Sequence, residues 1–386
     1  MTQVDFIGRI QNFHLPKNKP LLPLFEAAMN SFQAVEECPQ NKKGRIEIHI
    51  HRDSQQYFDN SDKTITGFTI VDNGVGFNEE NYKSFQLSDS RLKKQKGGKG
   101  IGRFTWLKMF SRVNIESTYR ENGKFKTRQF DFLNKNEPIN NEKCYPAKKK
   151  KLETKVTLYP ILPGFKKRLP KDAESVAYRI LEHFLIYFSS DKCPRFIIFD
   201  ENGKIDLNEL FDNIIKPFSS SDIFQFGVDE FNIDYFKLYS DNSTGHKLYF
   251  CAHRREVKNM NLSNHINSLP KKYLIDDKNG RYFFVAYISS EFLDNHVNNE
   301  RTSFNIAEED DEQLKIDPSD ISFSSLSVKA IEMIKKQLKE DLKKSEQEKF
   351  KSIEYYIEHN NPKYRQLLKY GREFLKKSLL VCLMTN

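Results

Sequence analysis

Two polar side chains lie four residues apart in an otherwise apolar helical segment, the stretch LLPLFEAAMNSFQAV at 21–35. Glu26 and Asn30 therefore stack on one face of the predicted helix. An amide oxygen such as that of Asn30 can bind a hard cation such as Mg²⁺. A carboxylate such as that of Glu26 can act as general base on a water that attacks a phosphate. The alternative is an exposed glutamate and an asparagine near a helix end, and this segment alone leaves both interpretations open.

A second group of polar and glycine residues lies where a predicted strand ends. Residues 64–71, TITGFTIV, are followed by Asp72 and then by Gly74 and Gly76. Glycine permits positive φ and lets another group approach the backbone closely. An aspartate beside such a turn can accept a hydrogen bond from an exocyclic amine such as that of adenine. D-N-G is also typical of an ordinary hairpin turn, so this motif too has two interpretations.

A glycine-rich segment, GGKGIGR, comes directly before a run of apolar residues. It comprises Gly97, Gly98, Lys99, Gly100, Ile101, Gly102 and Arg103. A glycine-rich loop that opens a helix is an anion site, because free amides and the helix dipole face the ligand. No Ser or Thr follows the lysine as in a Walker A loop, and the glycine spacing is not that of the dinucleotide fingerprint. The segment therefore predicts phosphate binding by another fold, and the polar residues 78–96 before it predict a mobile lid.

The elements that would position these residues alternate between helices and strands. Residues 45–51, RIEIHIH, alternate strictly and predict a strand that pairs antiparallel with 64–71. Further strands are predicted at 113–117, 124–132 and 154–158, the last opening with Thr154. Pro163 and Gly164 mark a predicted domain boundary.

The second half of the chain predicts a mixed fold followed by a helical tail. Asp172 is the predicted cap of a helix that runs to about residue 188. Strands are predicted at 195–199, 233–239, 246–252 and 281–289. Apolar residues then recur within a Lys/Glu-rich stretch over 326–342, which predicts a long charged helix, with a short coiled coil as an alternative.

The composition is that of a globular protein and excludes a fibre. The 386 residues are 30% charged and 38% hydrophobic, with a formal net charge of +9. This charge modestly favours an acidic partner such as nucleotide or nucleic acid, although solvated surface lysines explain it equally. The five cysteines are scattered and indicate neither a disulfide framework nor a zinc site. No signal peptide or membrane span is predicted, so we expect a cytoplasmic protein.

Four segments occur in a fixed order: E-x-x-x-N on a helix, D-x-G-x-G after a strand, a glycine-rich loop, and a threonine that opens a late strand. In this order they resemble the GHKL ATPase superfamily (gyrase B, Hsp90, histidine kinase, MutL), and most closely its MORC-like and MutL-like bacterial ATP-binding members. The resemblance covers roughly residues 1–160. It implies an α+β fold, the Bergerat α/β sandwich, in which helices cover a mostly antiparallel sheet that binds ATP.

The resemblance also implies a role for each motif residue. Glu26 corresponds to the general base and Asn30 to the magnesium ligand. Asp72 corresponds to the residue that contacts the adenine amine, in a pocket shaped by Gly74 and Gly76. The glycine-rich segment defined above would cradle the phosphates, and the threonine at 154 would support the adenine end. One departure is the glutamate at 153, where the family usually has glycine, and it concerns only the local backbone.

The same resemblance implies three parts: an ATP-binding domain at 1–163, an S5-like α/β transducer domain at 164–310, and a helical tail at 311–386. Such a transducer usually sends one basic residue to the γ-phosphate. Arg301 is the candidate here, and a surface arginine is the alternative. Histidine kinases carry asparagine where this chain has Glu26, so Glu26 favours hydrolysis over phosphotransfer to protein.

The function that the resemblance implies is Mg²⁺-dependent ATP hydrolysis coupled to dimer closure. In that class ATP closes the lid and brings two protomers together as a homodimer, and hydrolysis resets them. The output would act on DNA or on a protein partner, in DNA maintenance or defence against phage, with no membrane involved. Two alternatives stay open at this point: an Hsp90-like chaperone, and an ATP-sensing interaction module that does not hydrolyse.

Overall fold

A computed structural model describes most of the chain in two compact units. The described residues are 7, 8, 10, 15, 19–38, 44–53, 63–86, 102–189, 193–239, 245–298, 303–309, 321–360 and 362–364. The first unit comprises Met1–Ser219, Cys251–Val257 and Val297–Phe304, and the second comprises Ser220–Phe250, Lys258–His296 and Asn305–Asn386. The division into domains at 163 and 310 stays a prediction.

The first unit is built on one large sheet with helices around it. Its strands are β1 Arg45–Arg52, β2 Ile65–Asp72, β3 Arg112–Glu121, β4 Lys124–Leu133, β5 Ile139–Pro146, β6 Glu153–Leu158, β7 Arg195–Asp200 and β8 Gly203–Asp206. They pair in the order β5-β4-β3-β6-β2-β1-β7-β8. Only the β1–β7 pair within this order is parallel. The helices are α1 Leu22–Glu36, α2 Glu79–Gln86, α3 Gly102–Met109, α4 Pro163–Lys166, α5 Ala173–His183, α6 Leu185–Phe188 and α7 Leu207–Leu210, followed by a π-helical turn at Phe211–Ile215 and a 3₁₀ turn at Lys216–Phe218.

Helix α1 lies on the sheet because its apolar residues recur at helical spacing. Leu24, Ala28 and Phe32 are each at most 1% exposed. Pro23 lies in the first turn, where its missing amide donor is not needed. Phe32 packs against three aromatic rings at centroid distances of 5.0–5.4 Å, those of Phe184, Tyr187 and Phe196. Burial of each large side chain contributes about 1.5–3 kcal/mol, so α1 is fixed against β7 and the α5–α6 region.

The predicted α+β architecture is confirmed, as are most of its elements in the first unit. Helix α1 and strands β1, β2, β3, β4 and β6 lie where the sequence predicts them, with ends that differ by a few residues. The side chain of Asp172 caps α5 by accepting a hydrogen bond from the amide of Ser175 at 2.6 Å. The glycine-rich segment does open a helix, because α3 begins at Gly102.

The sequence did not predict strand β5 or helix α2 of the first unit. Strand β5, INNEKCYP, is an exposed edge strand with no apolar alternation to reveal it. The segment 78–96, whose polar residues predict a mobile lid, begins with α2, and its role as a lid stays a prediction. The side chain of Asn78 accepts a hydrogen bond from the amide of Asn81 at 2.8 Å and starts that helix. Tyr82 is its one buried residue, so the sequence shows no helical period. Residues 87–96 lie outside the described part.

The second unit contains two long helices and most of a smaller sheet, of which Ser219 and Cys251–Val257 belong to the first unit. Strands β9 Ser219–Phe226, β10 Asp229–Leu238, β11 Lys247–Ala252, β12 Arg255–Asn261, β13 Leu274–Asp276 and β14 Gly280–Ser289 pair in the order β12-β11-β14-β10-β9, and β13 also pairs with β14. The helices are α8 Glu291–His296, α9 Phe323–Gln337 and α10 Lys339–His359, with 3₁₀ turns at Leu262–Asn264 and Pro362–Tyr364. β10, β11 and β14 confirm the predicted strands.

The long charged helix is present but interrupted. Leu338, with φ −90° and ψ 9°, separates α9 from α10. Apolar residues of α9 such as Leu326 and Ile334 are fully buried, as their spacing predicts. None of the helices in the described ranges combines the length and the apolar character that crossing a membrane requires.

Candidate functional site

Residues that the sequence singled out from separate segments line one cleft of the first unit. They are Glu26, Asn30, Asp72, Gly76, Gly102, Arg103 and Thr154. Gly74 lies beside them, packed against α1. The remaining predicted site residues fall outside the described part of the chain: Gly97, Gly98, Lys99, Gly100, Ile101 and Arg301. The roles of all these residues stay predictions, but the cleft brings together α1, β2, β6 and the start of α3.

The carboxylate of Glu26 lies against the first residue of α3. A Cβ atom on Gly102 would lie 2.9 Å from Cδ of Glu26 and closer still to Oε2. No side chain fits at 102 unless the carboxylate moves. The carboxylate also lies at a helix N-terminus, where the dipole favours negative charge. Asn30 is one turn further along α1 and exposed to the cleft, so the stack predicted from the four-residue spacing is present.

Asp72 ends β2 as a buried carboxylate that two donors hold in place. It is 3% exposed. Its Oδ2 accepts a hydrogen bond from Oγ of Ser31 at 2.8 Å, and its Oδ1 accepts one from the amide of Gly74 at 2.9 Å. These two hydrogen bonds orient the carboxylate of Asp72 at the end of β2.

The turn after Asp72 is closed against α1 on one side and β3 on the other. A Cβ atom on Gly74 would lie 2.5 Å from the carbonyl oxygen of Ala34, and the amide of Val75 donates to that oxygen at 3.0 Å. Gly76 has φ of +72°, and a Cβ there would lie 2.6 Å from Oγ of Ser117. Both glycines are therefore required by close approach, and one also by its backbone conformation.

A pair of buried hydroxyls lies next to Asp72 across the sheet. Thr154 is the β6 partner of Asp72 in register. Its Oγ1 lies 2.8 Å from Oγ of Ser117 on β3, and that oxygen accepts a hydrogen bond from the amide of Phe77 at 2.9 Å. The sequence did not single out Ser117 or Ser31. Serines are common on strands and helices, and only the fold reveals these contacts.

Arg103 forms part of an aromatic wall of the cleft. It is 5% exposed, and its guanidinium carbon lies 4.9 Å from the ring centroid of Phe85 on α2. The Phe85 ring lies 5.0 Å from that of Phe132 and 6.4 Å from that of Trp106. A cation over an aromatic face is held by the ring quadrupole, so Arg103 joins α3 to α2 as well as lining the cleft.

Arg255 lines the same cleft, and sequence analysis missed it. It is the first residue of β12 and belongs to the first unit. The sequence around it, HRREV, matches no motif and reads as the start of an ordinary charged strand. Only the arrangement of the folded chain reveals its place in the cleft.

No family model matches this chain, and no curated protein matches it. Among solved structures, the ATPase region of Saccharomyces cerevisiae topoisomerase II is similar at 13% identity, over 84% of this chain and 86% of that chain, with a TM-score of 0.43. The Aquifex aeolicus MutL ATPase domain complexed with ADP is similar at 15% identity, over 72% and 92%, with a TM-score of 0.38. At these values the likeness is too loose to transfer residues or activities.

Proposed function

We propose that this protein is an ATPase of the GHKL class that binds ATP with Mg²⁺ in the cleft of the first unit. One observation carries the proposal: described residues from separate segments, to which the resemblance assigns ATP contacts, line the same cleft. Glu26 and Asn30 come from α1, Asp72 from β2 and Thr154 from β6. These elements are far apart in sequence, and a chance motif match would not make them converge.

The geometry of the cleft suits the two ends of a nucleotide. Asp72, oriented by Ser31 and Gly74, is the proposed acceptor for the adenine amine, and Thr154 lies beside it. Gly102 and Glu26 stand together at the start of α3, where a helix N-terminus favours phosphate. A general base must lie near the terminal phosphorus, and the place of Glu26 beside the start of α3 supports this role.

Asn30 is the residue that would hold the metal ion. Mg²⁺ in nucleotide sites is usually bound by one or two protein oxygens together with phosphate oxygens and water, and there it neutralises charge on the phosphates. Asn30 supplies one such oxygen, four residues from the proposed base. In the described ranges, no three His, Cys, Asp or Glu side chains come together as a metal cluster.

In the proposed reaction, Glu26 accepts a proton from the water that attacks the terminal phosphorus, and ADP and inorganic phosphate are released. We further propose that ATP binding closes a homodimer that acts on DNA or on a protein partner, in DNA maintenance or anti-phage defence. The formal net charge of +9 supports an acidic partner.

The test is steady-state ATP hydrolysis with Mg²⁺ by wild type and Glu26→Gln, with nucleotide binding measured on both. We expect the variant to bind ATP within a few-fold of wild type but to hydrolyse it about 100-fold or more slowly, since loss of a general base typically costs that much. Glu174→Gln is the matched control, because Glu174 is exposed on α5, and it should retain wild-type turnover.

Two other outcomes of this experiment would contradict the proposed ATPase. Nucleotide binding with negligible turnover in wild type and Glu26→Gln alike would indicate an ATP-sensing module. The absence of nucleotide binding by wild type would contradict the GHKL assignment itself.

A further inference from the structure

A buried arginine on β4 lies in line with two hydroxyl residues at the edge of the cleft. Arg128 is 5% exposed. In the sheet register it is opposite Ser117 of β3, and Ser117 is in turn opposite Thr154 of β6. A guanidinium remains charged in proteins, so at this burial it needs acceptors from the protein.

The guanidinium of Arg128 finds these acceptors where the turn after β2 meets α2. Nη1 donates to the carbonyl oxygens of Phe77 at 3.0 Å and Asn78 at 3.3 Å. Nη2 donates to Oε2 of Glu79 at 2.7 Å. The guanidinium carbon also lies 4.1 Å from the ring centroid of Tyr82, where the ring quadrupole attracts a cation. One side chain of the sheet therefore fixes the first turn of α2 and the two residues before it.

Both polar groups of the Phe77 backbone are bound to the sheet. Its amide donates to Oγ of Ser117 at 2.9 Å, and its carbonyl oxygen accepts from Arg128. The same Oγ of Ser117 lies 2.8 Å from Oγ1 of Thr154. Because the peptide groups on both sides of Phe77 are oriented by these bonds, the position of this residue relative to Thr154 is fixed.

The segment that Arg128 anchors forms one wall of the cleft, the α2 wall, which consists of Gly76, Phe77, Asn81 and Phe85. Nδ2 of Asn81 donates to the carbonyl oxygen of Gly76 at 2.9 Å. The rings of Phe77 and Phe85 lie 5.4 Å apart in an edge-to-face arrangement, which aromatic pairs favour. The α2 wall is thus internally connected, and Arg128 joins it to β4.

We propose that Arg128 is a positioning residue for nucleotide binding, an inference that rests on the proposed function. Arg128 acts through the α2 wall rather than by contact with the ligand. Loss of its hydrogen bonds lowers the fraction of molecules whose wall has the binding conformation, and the apparent affinity falls in proportion. Glu26 and Gly102 belong to α1 and α3, so hydrolysis of nucleotide that is already bound depends on Arg128 much less.

The experiment measures binding and turnover separately in the full chain. ADP and the non-hydrolysable β,γ-imido analogue of ATP are titrated with Mg²⁺ by calorimetry, and KM and kcat are measured for ATP. Arg128→Lys keeps the charge but loses the planar set of donors that reaches two carbonyls and a carboxylate together. We expect both affinities to fall about 10-fold and KM to rise, with kcat within about 3-fold of wild type. Arg120→Lys, at an exposed position on β3, is the matched control and should change none of these quantities.

Trp106 provides a spectroscopic signal of the α2 wall. It is the only tryptophan of the chain, it is 2% exposed, and its ring lies 6.4 Å from that of Phe85. We expect the emission of folded Arg128→Lys without nucleotide to shift to longer wavelength, because a displaced α2 no longer shields the indole from water. Saturation with the imido analogue should restore the wild-type emission, which a general loss of stability does not predict.

Wild-type affinities and emission in Arg128→Lys would overturn the proposal, and so would a fall in kcat with both affinities unchanged. If Arg128→Lys proves unfolded by circular dichroism, Glu79→Ala decides instead, because it removes one acceptor of the guanidinium at a position that is half exposed. A loss of about 3-fold or more in both affinities, absent from the control Glu80→Ala at the next exposed position of α2, supports the proposal, and no such loss overturns it. Failure of wild type to bind either nucleotide would instead contradict the proposed function.

Discussion

The carboxylate of Glu26 occupies the space that a side chain at position 102 would need. A glycine here does more than permit a turn, because it sets how closely α3 approaches α1. Any larger residue must displace the proposed base. The position of the proposed base therefore depends on a neighbour that has no side chain of its own.

Replacement of Gly102 by alanine should reduce turnover while the fold is retained. The added Cβ displaces the carboxylate of Glu26, and a misplacement of about 1 Å in a catalytic group can cost on the order of 100-fold in rate. We expect kcat to fall at least about 10-fold, with ADP affinity changed by less than about 3-fold. Steady-state hydrolysis and calorimetric titration measure the two quantities.

Gly164→Ala is the control for that substitution. A Cβ at 164 meets nothing within 4 Å, so kcat should stay at the wild-type value. A fall in kcat of the same size in both variants would show that the effect is not specific to Glu26.

At the scale of elements, α1 carries the site and its packing holds the site in place. Phe32 lies on the face of α1 that packs against other aromatic rings and is fully buried. We expect Phe32→Ala to lower the free energy of unfolding by about 3–5 kcal/mol, since it leaves a cavity among aromatic rings. Urea unfolding followed by circular dichroism measures this change. Val328→Ala, at a position that is 55% exposed on α9, should change it by no more than about 0.5 kcal/mol.

The sequence predicts elements well where one face is buried and poorly where none is. Helix α1 and strand β1 show their periods because an apolar face packs on the core. Strand β5 and helix α2 are largely exposed, so backbone hydrogen bonds and a cap form them without an apolar pattern.

Cleft residues could be predicted where they belong to a local motif, and could not be predicted where contacts between distant segments bring them to the cleft. Asp72 and Thr154 belong to motifs with a recognisable local spacing. Ser117 contacts the cleft residue Thr154, and Arg255 lines the cleft, only because strands distant in sequence are brought together. Pairing across a sheet is a property of the folded chain, and a single sequence does not display it.

At the scale of the whole molecule, a buried histidine makes stability depend on pH. His246 is 0% exposed, and its Nδ1 accepts a hydrogen bond from the amide of Phe284 at 2.8 Å. Burial lowers the pKa of His246 from 6.5 to about 4. Between pH 6.5 and 4 the unfolded chain therefore binds more protons than the folded chain, and the free energy of unfolding falls as the pH falls.

His246→Gln keeps a hydrogen-bond acceptor but does not titrate in this range. We expect its free energy of unfolding to fall less than that of wild type between pH 6.5 and 4, by up to about 3 kcal/mol. Urea unfolding at a series of pH values measures the difference. His359→Gln, at an exposed position on α10, should follow wild type, and an equal slope in all three proteins would contradict the prediction.

The parallel pairing of β1 with β7 has a consequence for synthesis on the ribosome. Arg45 is in register with Arg195, so most of the first unit must emerge before β1 gains its second neighbour. Until then the nascent chain presents β1 as an open edge, and edge strands are prone to pair with other chains. Phe32 likewise lacks its contact with the ring of Phe196 until β7 has been synthesised. The candidate cleft therefore acquires its supporting layer late in translation, and a nascent chain released after β6 would carry the cleft residues of α1, β2, α3 and β6 on an unfinished sheet.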